Sequence, residues 1–186
     1  MKRSRYWLLL TMAMAARVSA QVPTPPASPL TPAANPKDVA SADAIIAALY
    51  DANTVMVDQK RDTDRFRSLF APGARLMPTV RLSSDNARLT TLSVDDYVQN
   101  ASRGQPRGGF SEREIARTSE TFGNIMQVFS TYESHRNKDD QHPTRGINSI
   151  QLFNDGARWW VVTVLWSNER PDTPIPAVYL KRDKAP

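Results

Sequence analysis

Few side chains in this sequence have chemistry to offer, and they are scattered along it. Asp58 and Tyr97 fall on predicted helices, while Ser130, Tyr132, Trp160 and Trp166 fall on predicted strands. An Asp enclosed by apolar groups has its pKa raised and then serves as a base, abstracting a proton or activating water. Asp58 and Tyr132 are therefore the candidate catalytic residues, and Tyr97, Ser130, Tyr132, Trp160 and Trp166 the candidate ligand contacts. Each has a plainer explanation. Asp58 stands beside Lys60 and Arg61, the setting of a solvated helix-end acid. A Tyr or Trp on an apolar strand face is ordinarily a core residue with its polar tip hydrogen-bonded.

The remaining charged groups suggest structure more than catalysis. Glu112, Glu114 and Glu120 alternate with Arg113 and Arg117 along one strand, where cross-strand ion pairs account for them. Glu133 and Arg145 are predicted to face each other on neighbouring strands, as a structural pair or a carboxylate-binding one. His135 and His142 flank a polar loop, but their spacing fits no helical His pair and no Cys-containing zinc pattern, so no metal site is expected. No cofactor motif stands out. The chain has no cysteine, which excludes thiol chemistry and disulfides, and no Gly-x-Ser-x-Gly elbow.

The elements that must position these groups follow from local pattern. Ser41 is a good N-cap for a helix over 41–59, with Ile45, Leu49, Ala52 and Met56 on one face. Asp62 or Thr63 caps a second helix that turns Phe66, Leu69 and Phe70 inward before Pro72-Gly73 stop it. Strands are predicted over 74–80 and 88–92, and Ser93-Val94-Asp95-Asp96 resembles a capping box opening a third helix. Strands over 111–121 and 125–135 follow. Then comes a hairpin whose turn holds Asn154-Asp155-Gly156, and 177–180 add a last short strand. Alternation puts Met126, Val128, Ser130, Tyr132 and Ser134 on one face, and Trp160, Val162, Val164 and Trp166 on one face of theirs. The more apolar faces should line the interior. Helices followed by an antiparallel meander indicate an α+β domain with helices on one side of a curved sheet.

Outside that domain the chain changes character. Lys2, Arg3 and Arg5, an apolar run over 7–16 and Val18-Ser19-Ala20 have the form of a cleavable signal peptide, residues 1–20, too short to remain as a membrane anchor. With no lipid-attachment cysteine, the mature protein is expected to be periplasmic or secreted. Residues 21–40 carry six prolines among Ala, Thr and Ser and suit a linker, which leaves 41–186 as one domain. The formal charge of +5 shrinks once Lys2, Arg3, Arg5 and Arg17 leave, because 20 bases then face 19 acids. A near-neutral chain without a basic, aromatic-interleaved patch is not expected to bind nucleic acid.

Three segments carry a family resemblance: Asp64-Arg65-Phe66-Arg67-Ser68-Leu69-Phe70-Ala71-Pro72-Gly73-Ala74, Val128-Phe129-Ser130-Thr131-Tyr132-Glu133, and the hairpin ending in Trp159-Trp160. Over about 42–169 the sequence resembles the nuclear-transport-factor-2-like (SnoaL-like) superfamily. The resemblance implies a cone-like, strongly curved antiparallel sheet with about three N-terminal helices packed across it. It also implies a homodimer formed sheet to sheet, and in catalytic members an Asp, His or Tyr pair inside the cone. No such dyad is evident here. The expected function is thus an exported domain that binds a small hydrophobic molecule. The alternatives are an isomerase, dehydratase or hydrolase using Asp58 or Tyr132, and a module that binds a protein partner.

Overall fold

In the computed structural model, residues 31–83, 86–104, 108–137 and 139–181 are described. The signal peptide assigned to 1–20 and residues 21–30 of the linker lie outside them. Within the rest of that linker, Asn35 caps a helical turn, α1 (Pro36–Val39), and Val39 is buried in the core.

Helix α2 (Ala42–Asn53) begins where Ser41 Oγ accepts from the Ala44 N–H at 3.0 Å. It ends at Asn53 rather than Gln59. The chain there leaves the helix to pair with the segment entering the sheet: Val55 and Phe110 exchange backbone hydrogen bonds of 2.7 and 2.8 Å, and the Glu112 N–H donates to Thr54 Oγ1. Met56, expected on the buried face, is consequently 59% exposed. Helix α3 (Thr63–Ser68) is capped by Asp62, and Phe66, Leu69 and Phe70 are buried as the spacing predicts. Helix α4 (Val94–Arg103) carries the complete Ser93/Asp96 capping box.

Six strands form one curved, unclosed sheet: β1 (Phe70–Ser83), β2 (Asn86–Leu89), β3 (Ser111–Phe122), β4 (Ile125–His135), β5 (Thr144–Asn154) and β6 (Trp159–Asn168). The order is β2-β1-β6-β5-β4-β3. Neighbours are antiparallel except β1 and β6, which run parallel because β1 joins the meander through a crossover and not a turn. Helix α3 ends at Ser68, before Pro72 and Gly73, which sit inside β1 as an irregularity, with Gly73 at φ +81°. Residues 177–180 form a 3-10 turn, not a strand. Pro174 and Pro176 remove backbone donors there, so this segment cannot extend a ladder. It lies on the outer face of the sheet, where Thr131 Oγ1 donates to the Tyr179 carbonyl at 2.6 Å.

The core lies between the helices and the inner face, around Ile45, Ile46, Phe66, Leu69, Val128 and Ile150. Two β-bulges decide which other residues reach it. In β3 the register against β4 slips at Ile115, and in β6 the register against β5 slips at Val162. One extra residue in a strand sends every later side chain to the opposite face. Inward residues of β6 are therefore Val161 on one side of the slip and Val164 and Trp166 on the other. Trp160 and Val162 do not share their face, which corrects the alternation read from the sequence. On the outer face, Phe122, Ile125, Phe153 and Trp160 are successive cross-strand partners. Phe122 is 85% exposed in that row.

Candidate functional site

Under the helices the cone holds a cavity of about 210 Å³. Its wall comes from α2 (Leu49, Tyr50, Asn53), α3 (Phe66), α4 (Tyr97), β3 and its entry (Phe110, Glu112), β4 (Tyr132, Ser134), β5 (Thr144, Asn148) and β6 (Val164, Trp166, Asn168), with Arg136 beside them. Aromatic packing holds the roof. Tyr97 stacks on Phe66 at 5.3 Å between ring centroids and meets the Trp166 ring edge-on at 6.0 Å.

Glu112 is the acid of this cavity, and the bulge at Ile115 puts it there. Its register partner is Ser134, and Glu114 opposes Tyr132, so both glutamates face inward. The two have different fates. Glu114 pairs with Arg117 at 2.6 Å and accepts from Ser130 Oγ at 2.5 Å. Glu112 forms no ion pair with any described residue. Burial raises its pKa from an ordinary 4.5 to about 7, against the opposing pull of the Asn53 and Asn148 side chains and the Arg61 charge. Near neutral pH this carboxyl exchanges a proton readily.

The neighbouring polar groups are ordered by hydrogen bonds whose direction can be assigned. The Asn53 Oδ1 accepts from Tyr97 OH at 2.9 Å and from Arg61 Nη1 at 2.9 Å, which leaves the Asn53 amide N–H groups to donate. Because Ser130 Oγ donates to Glu114, the Tyr50 hydroxyl donates to Ser130 at 2.6 Å and accepts from Asn148 Nδ2 at 3.0 Å. Tyr132 OH donates to Asn168 Oδ1 at 2.5 Å. That bond spans β5 and requires Gly146, the register partner of both residues. A Cβ at 146 would collide with the Tyr132 hydroxyl and the Ser167 carbonyl. Burial raises the pKa of all three tyrosines, Tyr97 to about 12, so they are neutral hydrogen-bond donors at physiological pH.

The residues singled out from sequence divide clearly. Tyr97, Tyr132 and Trp166 line the cavity. Ser130 is fully buried behind it, joined through Tyr50. Trp160 lies on the outer face, its Nε1 donating to Asp155 at 2.7 Å and its ring covered by the Arg158 guanidinium at 3.6 Å. Asp58 is exposed in a turn at φ +61°, away from the cavity. Glu133 and Arg145 are register partners as expected, yet they pair elsewhere, Glu133 with Arg113 and Arg145 with Glu169, each at 2.8 Å. His135 contacts Glu133 at 3.3 Å, and no metal-ligating cluster occurs among the described residues. Sequence reasoning missed Glu112, Asn53, Asn148 and Arg61. For Glu112 only the strand parity bore a signal, and the bulge reversed it.

No protein-family model matches the chain, and no curated protein matches its sequence. Solved structures do match its fold. A nuclear-transport-factor-2-like protein of unknown function from Pseudomonas putida is 14% identical with a TM-score of 0.52, covering 76% of this chain and 92% of its own. A protein of unknown function with a cystatin-like fold from Nostoc punctiforme is 12% identical with a TM-score of 0.50, covering 70% of this chain and 89% of its own. The fold is thus nuclear-transport-factor-2-like, α+β, with a curved six-stranded sheet. At these identities the likeness concerns the fold and not an activity.

Proposed function

We propose that this chain is an enzyme that moves protons on a small polar molecule held in the cone, with Glu112 as the general base and acid. The observation that carries this reading is a cavity carboxyl without an ion-pair partner whose pKa lies near 7. Such a group is half ionised at working pH, which suits a residue that must accept and return a proton. Tyr97 and Tyr132 are the hydroxyls placed to donate to a substrate oxygen, giving up their Asn53 and Asn168 acceptors when they do. The amides and hydroxyls of the wall favour a polar ligand over the hydrophobic one expected from sequence. The signal-like sequence at 1–20 supports a site of action in the periplasm or outside the cell.

Hydrogen–deuterium exchange tests the reading. The protein is incubated in D2O with a panel of small ketones, aldehydes and β-keto acids, and α-hydrogen loss is followed by proton NMR. At least one compound should exchange faster than with solvent alone, at a rate that rises as pH passes through about 7. Glu112→Gln should slow it by about a hundredfold or more. Equal exchange by wild type and variant would refute the assignment.

A further inference from the structure

The cavity does not end at Tyr97. A second chamber of about 340 Å³ adjoins it, and Asn53, Tyr97, Phe110, Arg136 and Trp166 line both. Its charge is one-sided. Arg61 and Arg136 line this outer chamber, and no acid is among the described residues that do so.

Neither guanidinium is fully occupied. Arg61 Nη1 donates to Asn53, at both its backbone carbonyl and Oδ1. Its Nε–H is buried without a hydrogen-bond partner, an uncommon condition for a charged donor. Arg136 forms no ion pair with a described residue. Of the acids near it in sequence, Glu133 pairs with Arg113, and Asp140 accepts from the backbone N–H groups of Arg136 and His142. Several other arginines are paired with carboxylates, Arg65 with Asp38 and Asp51, Arg67 with Asp64 and Asp95, and Arg117 with Glu114, while Arg75 and Arg158 form no ion pair with a described residue but donate to backbone carbonyls outside this chamber. Arg61 and Arg136 are left facing a shared space. A guanidinium fork is matched in shape and charge by a planar carboxylate.

We propose that the molecule bound in this cone carries a carboxylate, held in the outer chamber by the Arg136 and Arg61 guanidinium groups, while its other end reaches Glu112. This rests on the proton-transfer reading for the inner end, but the anion subsite is separately testable. Tyr97 and Trp166 form the waist between the chambers, so the substrate is an elongated acid with its reactive carbon a few bonds from the carboxylate. Two positive charges at the outer end also fix the direction of entry.

The test uses matched probes: acetate, benzoate and phenylacetate against acetamide, benzamide and phenylacetamide. Binding is read from the Arg61 Nε–H resonance in nitrogen–proton NMR spectra of the whole mature protein. At least one carboxylate should shift it saturably, with affinity about tenfold above its amide. Arg136→Gln, at an exposed position that folding tolerates, should remove most of that preference. Arg61→Lys keeps the charge but deletes the planar guanidinium and should weaken binding as well. No saturable shift with any carboxylate, equal binding of acid and amide, or an Arg136→Gln variant with unchanged preference would each overturn the proposal. Glu112→Gln separates the two claims. It should slow exchange by about a hundredfold or more and preserve carboxylate binding, so either reading can fail while the other stands.

Discussion

Replacing Glu112 with Gln should stabilise the protein, and by an amount that depends on pH in a known direction. Burial raises the Glu112 pKa from 4.5 to about 7. The folded state therefore binds this proton more tightly than the unfolded state does. Stability from the site is complete below the unfolded value of 4.5 and is lost as pH climbs to about 7, above which the loss is constant. The whole shift corresponds to about 3 kcal/mol, most of which falls between pH 5 and pH 8. Gln is nearly isosteric, cannot ionise and retains hydrogen bonding toward Asn53 and Asn148. The variant's stability relative to wild type should accordingly improve by about 2 to 3 kcal/mol from pH 5 to pH 8. Urea unfolding of both proteins at the two pH values measures this double difference, in which every other titrating group cancels. A difference that does not change with pH would refute the claim that Glu112 is held protonated by its surroundings.

Two further outcomes follow from packing. Gly146→Ala places a methyl group against the Tyr132 hydroxyl and the Ser167 carbonyl, so urea unfolding should show a loss of about 1–3 kcal/mol, and the Tyr132–Asn168 bond should break. We propose that the row Phe122, Ile125, Phe153 and Trp160 on the outer face closes a homodimer; Phe153→Lys should then shift dimer to monomer in sedimentation without altering α-hydrogen exchange, and a wild-type monomer would refute it.

Much of the fold was legible because it is specified by local chemistry. Ser41 and Ser93 are caps in the sequence and caps in the structure, and of Asp62 and Thr63 it is Asp62 that caps, each side chain accepting the backbone N–H that a helix start leaves free. In the strand over 125–135 alternation separates two faces without saying which is concave, and the more apolar one, with Val128, Ser130 and Tyr132, is the inner one. The site was much less legible, and the reason is parity. Counted back from the Gly123 turn with an uninterrupted ladder, Glu112 pairs with His135 and points outward. The slip at Ile115 pairs it with Ser134 and points it into the cavity. Nothing in Glu-Arg-Glu-Ile-Ala-Arg marks that slip. The run Val161-Val162-Thr163-Val164 hides the second one, since β-branched residues suit either face, and Trp160 was assigned inward as a result. Helix α2 was read too long because Met56 continues the apolar spacing. Only the long-range pairing of Val55 with Phe110 ends it.

The account depends most directly on the ionisation of one side chain. Selective carbon-13 labelling of glutamate carboxyls, with Glu112 assigned by its Gln variant, allows that ionisation to be followed by NMR across pH 3 to 9. The Glu112 resonance should titrate with a midpoint near 7, well apart from the exposed glutamates. A midpoint near 4.5 would mean an ordinary solvated acid, and it would contradict both the buried carboxyl and the proton-transfer function built on it.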